Sequence, residues 1–296
     1  MAQAFLQRLR LTLDMIKFEH SIFALPFALT GAMLAFREDG FATQNIAWKL
    51  AWIVVAMVAA RSAAMAFNRV LDAEIDSRNP RTAMRHLPAG LLSRGFAEAF
   101  VIGSSLMFCV AAAALNPLCL KLSPVALGVV FAYSYTKRFT SLSHLVLGFA
   151  LGIAPAASWI AVRGALDVRI LWLTAAVMFW TAGFDVIYSC QDYDFDCQQQ
   201  LFSVPRRLGI RRALWVARLF HGSMLTCLIA LAGSFHLGLL SILGILIVAT
   251  LLVYEHRLVK HDDLSRVNAA FFTINGYVSV VFFCFWTLDI FVFRRA

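Results

Sequence analysis

Long apolar segments separated by short polar ones run through almost the whole chain. Nine of them approach the roughly 20 residues that an α-helix needs to cross a bilayer. They lie near residues 18–36, 48–68, 96–115, 118–135, 142–162, 170–190, 213–233, 237–256 and 269–293. Lys121 and Pro124 interrupt the fourth segment. The pattern predicts an all-α, polytopic membrane protein with nine transmembrane helices in a bundle around a central cavity.

The composition is typical of a membrane-embedded domain throughout the chain. Of the 296 residues, 61% are hydrophobic and 15% are charged, whereas an average soluble domain is about 25% charged. Residues 1–296 are therefore predicted to form a single transmembrane domain. Residues 1–17 carry Arg8, Arg10 and Lys17 among leucines. They predict either a short interfacial amphipathic helix or a positive flank of the first span, and no cleavable signal peptide is evident.

The net charge of +9 is informative through its distribution and does not by itself indicate nucleic acid. With the N-terminus in the cytoplasm, sixteen basic residues fall in cytoplasmic segments and seven on the opposite side. The positive-inside rule therefore predicts a cytoplasmic N-terminus and a C-terminus on the other side. The six cysteines and seven histidines show no metal-ligand spacing, and His221 is interpreted as a satisfied core residue.

Two acidic segments follow long apolar runs, and with Asp185 they hold seven of the seventeen acidic residues. In each segment a polar residue is followed by an aspartate four positions later and by another after four more. Side chains at this spacing share one face of a helix. Two such faces brought together would form a pocket of four carboxylates, which suits Mg²⁺ bound with substrate phosphates. A solvated charged loop is the alternative. The two triplets are Asn68/Asp72/Asp76 and Tyr188/Asp192/Asp196.

Other residues near the triplets differ in their predicted importance. Asn68 and Tyr188, the first residues of the two triplets, could complete the coordination shell of the metal or orient a carboxylate. The alternative is that each is a polar residue at the membrane interface. Glu74 and Asp194 are two positions off the shared face and are expected to point away. Asp185 lies seven residues before Asp192 and therefore returns to the shared face, deeper in its span. A carboxylate is costly there, which favours a functional role.

Arg61, inside the second span, is the most unusual single residue. It lies two helical turns before Asn68, on the same face and about 10 Å deeper. An arginine in a membrane span needs a partner. Its functional interpretation is a clamp for an anionic substrate group, since a guanidinium pairs bidentately with a carboxylate. The alternative is a salt bridge within the bundle, for example with Asp185.

Basic residues at the same membrane face as the triplets are candidates for binding diphosphate oxygens. Lys137, in register with Tyr133, is the strongest of them. The positive-inside bias alone would also place basic residues there. The other three candidates are Arg138, Arg81 and Arg85.

These residues together resemble the UbiA superfamily of intramembrane aromatic prenyltransferases. The family motifs N-x-x-x-D-x-x-x-D and Y-x-x-x-D-x-x-x-D match the two triplets, Y-x-x-x-K matches Tyr133 and Lys137, and the family's buried arginine matches Arg61. The strings at 18–28 and 76–83 are similar to a branch of bacterial 4-hydroxybenzoate polyprenyltransferases. The chain departs from that branch at His86, where proline is usual, and at Cys197-Gln198-Gln199, where a basic residue is usual.

The resemblance implies Mg²⁺-dependent transfer of a polyprenyl group from polyprenyl diphosphate to an aromatic acid of the 4-hydroxybenzoate type, in ubiquinone synthesis. A dihydroxynaphthoate acceptor in the futalosine route to menaquinone is the alternative within the family, and a membrane transporter is the alternative of another class. The resemblance also implies a bacterial cytoplasmic membrane with the active site on the cytoplasmic side. The resemblance implies the following roles: metal binding by Asp72, Asp76, Asp192 and Asp196; metal binding or orientation by Asn68 and Tyr188; diphosphate binding by Lys137, Arg138, Arg81, Arg85 and Tyr133; and acceptor binding by Arg61. The ring proton would pass either to Asp185 or to a diphosphate oxygen.

Overall fold

Helices make up most of the computed structural model, which describes residues 2–17 and 21–292. Two 3₁₀ turns, Val168–Ile170 and Cys190–Asp192, and a π-helical turn, Ala269–Ile274, complete the helical segments. The described residues contain no β-strand, and the predicted all-α class is confirmed. The α-helices α1 to α12 are Ala2–Met15, Ser21–Glu38, Ile46–Arg78, Arg94–Leu115, Pro117–Thr136, Ser143–Arg163, Leu171–Ser189, Tyr193–Gln198, Val204–Leu208, Ile210–Ser234, Leu239–Leu258 and Asn275–Val292.

Eight helical segments among the described residues are long and apolar enough to cross a membrane. The membrane class is therefore confirmed, whereas the predicted count of nine spans is not. The predicted first span corresponds to α2, and its residues 18–20 lie outside the described part of the chain. The eight segments are Ile46–Arg78, Arg94–Leu115, Pro117–Thr136, Ser143–Arg163, Val168–Gln198, Ile210–Ser234, Leu239–Leu258 and Ala269–Val292.

Helix α3 is much longer than the span predicted at 48–68. Its 33 residues correspond to about 50 Å of helix, against roughly 30 Å of hydrocarbon in a bilayer. The apolar stretch ends near Phe67, but the helix continues to Arg78. One rigid element therefore carries the whole first acidic triplet past the end of its apolar part.

The N-terminal segment forms the helix α1. This agrees with the alternative of a short amphipathic helix. At the end of α1, Met15 and Ile16 are buried with Ala66 of α3 and with Leu92 and Ala97 near the start of α4. These contacts hold the end of α1 beside the same part of α3 that carries Arg61 and Asn68.

The densest part of the bundle lies around α7, which packs against α6 and α10. Gly148 and Gly152 of α6 face α7 so closely that a Cβ atom would lie 2.2 Å from the carbonyl oxygen of Met178 and 2.6 Å from that of Thr174. Small residues allow helix backbones to approach in this way. The core beside them is aromatic, with Phe27 stacked on Phe282 at a centroid distance of 4.6 Å.

Candidate active site

A large cavity opens among α2, α3, α5, α6, α7 and the π-helical turn, with a volume of about 1000 Å³. Both acidic triplets line its polar end. Apolar side chains line most of the remainder, including Phe184, Leu147 and Val129. The cavity therefore has a charged end and a larger apolar part. This suits a ligand with an anionic group at one end and an apolar chain.

The first triplet has the geometry that its spacing predicts for a regular helix. Asp72 and Asp76 are buried, with 1% and 4% of their surface exposed. The amide nitrogen of Asn68 donates to Asp72 Oδ2 at 2.9 Å, so Asn68 orients that carboxylate. Glu74 points away, is largely exposed and pairs with Arg78.

The second triplet does not lie on one continuous helix, which corrects the helical argument made from its spacing. Helix α7 ends at Ser189, Asp192 closes a 3₁₀ turn, and Asp196 lies on the short helix α8. Both aspartates still line the cavity with Tyr188, while Asp194 is exposed. The change of helix type redirects the chain without moving the carboxylates away from the first triplet.

Loops after the first triplet connect it to the second. Asn79 Nδ2 donates to Asp192 Oδ1 at 3.0 Å. Arg81 donates to both oxygens of the same carboxylate, from Nε at 2.8 Å and from Nη2 at 2.5 Å, and also to the Tyr188 hydroxyl at 3.2 Å. Burial disfavours the charged form of Arg81, but the hydrogen bonds to Asp192 and its negative charge prevail and raise the pKa of Arg81 above its usual value.

The predicted diphosphate-binding cations contact the carboxylates of the triplets. Lys137 Nζ lies 2.5 Å from Asp72 Oδ2. Arg85 Nη1 lies 2.8 Å from each oxygen of Asp76. Like Arg81, these side chains line the cavity, and so does Tyr133. The polar end therefore consists of alternating positive and negative groups that are largely neutralised in pairs.

Arg138 differs from the other predicted diphosphate ligands. It does not line the cavity in the described part of the chain. Its guanidinium donates to Asp72 Oδ1 at 3.0 Å and to the carbonyl oxygens of Leu71 and Ser134 at 3.1 and 3.0 Å. These bonds hold Arg138 beside Asp72, where it neutralises the carboxylate. Its predicted contact with diphosphate stays a prediction.

The donor set fits Mg²⁺ held jointly with phosphate. Among the described residues, no three histidine, cysteine, aspartate or glutamate side chains are close enough to hold one ion. The four aspartates thus share a cavity but do not form a protein cage. Mg²⁺ usually binds through one or two carboxylates and completes its octahedral shell with water and substrate phosphates. Paired carboxylates beside basic side chains match that mode.

Arg61 lies deeper in the cavity, eleven residues before Asp72 on α3. Its Nη2 lies 3.4 Å from the carbonyl oxygen of Lys17. Its buried Nε has no hydrogen-bond partner among the described residues. The alternative of a salt bridge with Asp185 is wrong, because Asp185 pairs with His144 at 2.7 Å. A guanidinium with an unused donor thus lines the cavity.

Sequence reasoning missed several side chains of the site. Arg69 lies 4.0 Å from Asp76, and Ser203 lines the cavity beside Asp196. His144, which holds Asp185, has no spacing relation to any other histidine. Only Asn79 had a local signal, since it lies three residues after Asp76 and directly before a proline.

The chain departs from the bacterial branch at one residue that lines the cavity and at three residues on the surface. His86 lines the cavity, and burial, together with the positive charges of Lys17 and Arg69, lowers its pKa below the usual value. The lowered pKa favours the neutral ring at this position. Cys197, Gln198 and Gln199 are exposed and do not line the cavity in the described structure.

The chain belongs to the UbiA prenyltransferase family, whose family model matches residues 24–292. It is 30% identical over 238 residues to a 4-hydroxybenzoate octaprenyltransferase of Vibrio atlanticus (strain LGP32), covering 79% of this chain and 83% of the relative. It is 31% identical over 223 residues to the enzyme of the same name in Tolumonas auensis (strain DSM 9187 / NBRC 110442 / TA 4), covering 75% and 77%.

Solved structures share the fold. The apo structure of a UbiA homolog from Aeropyrum pernix K1 has a TM-score of 0.82 and 33% identity, covering 92% of this chain and 98% of that one. A UbiA homolog from Archaeoglobus fulgidus bound to GPP and Mg²⁺ has a TM-score of 0.72 and 18% identity, covering 95% and 99%. The predictions of a UbiA-type fold and a prenyltransferase are confirmed, and the transporter alternative gains no support.

Proposed function

We propose that this protein transfers a polyprenyl group from polyprenyl diphosphate to an aromatic carboxylic acid of the 4-hydroxybenzoate type, with Mg²⁺ as cofactor. The observation that carries the proposal is the cavity of about 1000 Å³, with two paired aspartate triplets at one end and an unsatisfied arginine deeper inside. The names of the relatives in Vibrio and Tolumonas support the benzoate acceptor.

The polar end binds the diphosphate. Asp72, Asp76, Asp192 and Asp196 hold Mg²⁺ together with the phosphate oxygens, and Asn68 and Tyr188 orient their carboxylates. Bound Mg²⁺ neutralises charge on the leaving diphosphate. Lys137, Arg81 and Arg85, already placed beside these carboxylates, donate to the remaining oxygens, with Tyr133 beside them. Developing negative charge then meets fixed positive groups, which is electrostatic stabilisation of the transition state.

The apolar body holds the isoprenoid chain and keeps water from the allylic cation. Aromatic side chains lie near the second triplet, where Tyr188 and Phe271 have a centroid distance of 4.2 Å. Phe272 lies beside Phe271 at 4.7 Å. The faces of such rings attract a cation, so this group stabilises the carbon that loses the diphosphate.

Arg61 binds the acceptor carboxylate. Its unpaired Nε and its single long contact to Lys17 leave donors available on a planar guanidinium. A carboxylate matches this geometry bidentately, and the pair is strong where water is excluded. The acid is thereby held below the diphosphate with its phenol ring toward the allylic carbon. The ring proton passes either to Asp185 or to a diphosphate oxygen.

The protein lies in the cytoplasmic membrane of a bacterium, with the N-terminus and the diphosphate end on the cytoplasmic side. Support for this orientation comes from the bias of sixteen basic residues against seven. Soluble aromatic acids and Mg²⁺ reach the site from that side. The isoprenoid chain runs through the apolar part of the cavity, and its far end leaves between helices into lipid.

The test is an assay of membranes containing the protein, with Mg²⁺, geranyl diphosphate or a longer donor, and radiolabelled 4-hydroxybenzoate. A parallel reaction contains 1,4-dihydroxy-6-naphthoate. We expect Mg²⁺-dependent label transfer to the benzoate, and little in an Asp72→Asn variant that is expressed equally well. Transfer only to the naphthoate would reassign the acceptor to menaquinone synthesis. Equal labelling by the wild type and Asp72→Asn would refute the proposed site.

A further inference from the structure

A group of arginines without any acidic residue nearby in the sequence leads into helix α10. Between Cys197 and Tyr254 the sequence contains no aspartate or glutamate. Helix α10 follows the second triplet through the short helices α8 and α9, so it begins at the diphosphate end of the bundle. Five arginines lie within residues 206–218 at this end, namely Arg206, Arg207, Arg211, Arg212 and Arg218.

The protein itself provides partners for only some of these arginines. The side chains of Arg206 and Arg207, on α9, donate to acceptors of the protein at 2.9 and 3.2 Å. The side chains of Arg211, Arg212 and Arg218, on α10, form no ion pair or hydrogen bond with any described residue. The start of α10 therefore carries positive charge that the described part of the chain leaves unpaired.

Arg218 is the most unusual of the three, because it lies within a membrane-spanning helix. It is eight residues after Ile210, where α10 begins, and therefore about 12 Å along the helix axis. Its Cζ lies over the ring of Trp215, 4.4 Å from the ring centroid. A cation–π contact supplies no hydrogen-bond acceptor for the guanidinium N–H groups. An arginine in a span pairs with other polar groups or extends toward the interface.

The face of α10 that carries Arg218 is open on the outside of the bundle. Arg211, Trp215 and Arg218 lie four and three positions apart, so they share one face of the helix. Leu219 and Gly222 continue this face further from the start of the helix. The tryptophan and the leucine are 63% and 67% exposed, and a Cβ atom at the glycine would meet no described atom within 4 Å. In a membrane-spanning helix, such a surface contacts lipid.

Arg218 also lies toward the neighbouring helix α11. It is half-buried, and its positive charge acts on His256 of α11. The ring of His256 is bonded through Nε2 to Nδ1 of His221, one turn further along α10, at 3.0 Å. The last turn of α11 adds the exposed Arg257, whose side chain has no partner among the described residues. Basic side chains between membrane helices are typical binding sites for lipid head groups.

We propose that the face of α10 formed by Arg211, Trp215 and Arg218 binds the phosphate of an anionic phospholipid, with an acyl chain along Leu219 and Gly222. Charge complementarity selects this occupant. A protein partner would have to bring carboxylates against a lipid-facing helix, where they are costly. A zwitterionic lipid carries an ammonium group, for which this acid-free surface offers no carboxylate. None of these five residues lines the cavity, so the proposal does not depend on the proposed function.

The test uses the full chain, purified in detergent, stripped of lipid and mixed with phosphatidylglycerol or phosphatidylcholine of the same acyl chains. Native mass spectrometry counts the lipids that remain bound, and thermal unfolding measures the stabilisation. We expect phosphatidylglycerol to be retained about tenfold better, and Arg218→Gln to lower its retention about tenfold, because a charge-assisted contact is lost. Arg218→Lys should keep part of the retention, since an ammonium has the charge but not the planar fork.

Arg94→Gln is the matched control. It removes the same charge at the same end of the bundle, but Arg94 lies on α4 and pairs with Glu98. We expect it to retain phosphatidylglycerol as the wild type does. Without added lipid, both glutamine variants should unfold at the wild-type temperature, which controls for folding. Neither donor nor acceptor is needed, so the result is interpretable even if the prenyl-transfer assay fails.

Three results would overturn the inference. Equal retention of the two lipids by the wild type would show that the arginines only reflect the positive-inside bias. An equal loss of retention in Arg218→Gln and Arg94→Gln would show that the total charge matters and that α10 has no specific site. Stabilisation by inorganic phosphate alone, as large as that by phosphatidylglycerol and lost in Arg218→Gln, would assign the site to free phosphate instead of a lipid.

Discussion

Arg81 and Asp192 join the two acidic triplets through a bidentate ion pair, with Arg81 Nη2 2.5 Å from Asp192 Oδ2 and Nε 2.8 Å from Oδ1. The arginine comes from the loop after the first triplet and the aspartate from the second. The polar end of the cavity is thus one charge network built from both halves of the chain. Its carboxylates are oriented before any ligand arrives, which lowers the reorganisation needed at reaction.

Replacing Arg81 should weaken binding of the diphosphate and of Mg²⁺ together. We expect Arg81→Ala to raise KM for prenyl diphosphate about tenfold or more, because a charge-assisted contact and the orientation of Asp192 are both lost. Arg81→Lys should recover only part of the loss, since an ammonium cannot form the bidentate pair. Arg78→Ala is the matched control, because Arg78 pairs with the exposed Glu74 outside the cavity. Equal KM values for Arg81→Ala and Arg78→Ala would contradict this role.

Removing the divalent cation should abolish transfer reversibly. Treating the membranes with EDTA should stop label transfer, and added Mg²⁺ should restore it, because carboxylates and diphosphate cannot share the site without a cation between them. Asp72→Asn and Asp192→Asn should each lower turnover by about 10²-fold or more. Assays at several Mg²⁺ concentrations check this, and full turnover of either variant at saturating Mg²⁺ would show that the metal assignment is wrong.

Arg61→Ala should weaken binding of the aromatic acceptor without changing binding of the prenyl diphosphate. Loss of the guanidinium removes about 2–4 kcal/mol of charge-assisted binding, as is typical for a desolvated ion pair. We expect KM for 4-hydroxybenzoate to rise by about 30-fold or more while KM for the prenyl diphosphate stays near the wild-type value. Initial-rate measurements with each substrate varied in turn check the prediction. A rise in both KM values would indicate a structural role for Arg61.

Gly183 is required by the close packing of α7 against α10. A Cβ atom at this position would lie 2.3 Å from the imidazole of His221, a buried side chain that is bonded to His256 at 3.0 Å. Gly183→Ala should therefore destabilise the protein by about 1–3 kcal/mol through overpacking. Gly222→Ala is the control, because the added atom meets no described atom within 4 Å. Thermal unfolding in detergent compares the two, and equal melting temperatures would refute the packing argument.

Asn275 holds the π-helical turn that carries Phe271 and Phe272 to the cavity. Its side chain accepts from Trp180 Nε1 at 2.7 Å and donates to Glu255 Oε1 at 2.9 Å and to the carbonyl oxygen of Ala270 at 3.1 Å. Asn275→Ala would leave these buried groups without their partner, at a cost of about 1–3 kcal/mol or more.

The expected result for Asn275→Ala is a lower melting temperature together with a reduced kcat, because the turn and the rings beside Tyr188 lose their support. Thr250→Ala is a control, since Thr250 bonds only to Leu246 of its own helix on the exposed surface. If Asn275→Ala kept the wild-type kcat at a temperature where it is fully folded, the link between the turn and catalysis would be disproved.

Several parts of the site could be predicted because their signals are local. The first triplet needs only a regular helix, and the structure has one from Ile46 to Arg78. Glu74 points away, as its offset from the shared face of α3 required, and Asp194 is also exposed although its segment is not one continuous helix. The second triplet shows the limit of the argument, since its aspartates reach the cavity through a 3₁₀ turn that spacing alone does not indicate.

Other parts depended on contacts between distant segments. Nothing in the sequence indicated that Asp185 pairs with His144 instead of Arg61, or that Arg138 lies beside Asp72 while Lys137, its neighbour, lines the cavity. Each outcome depends on which helices pack together and on how far each side chain reaches.

The sequence alone determined the membrane class, the positions of most of the helices and the spacing of the two acidic triplets, because hydrophobic length and helical period are properties of neighbouring residues. The tertiary structure decided how the charges are paired, that Arg61 keeps an Nε donor without a partner among the described residues, and that Asp185 is hydrogen-bonded to His144. These features arise only when side chains from α3, α5, α6 and α7 meet around one cavity, since a buried charge takes the partner that the packed bundle places within reach.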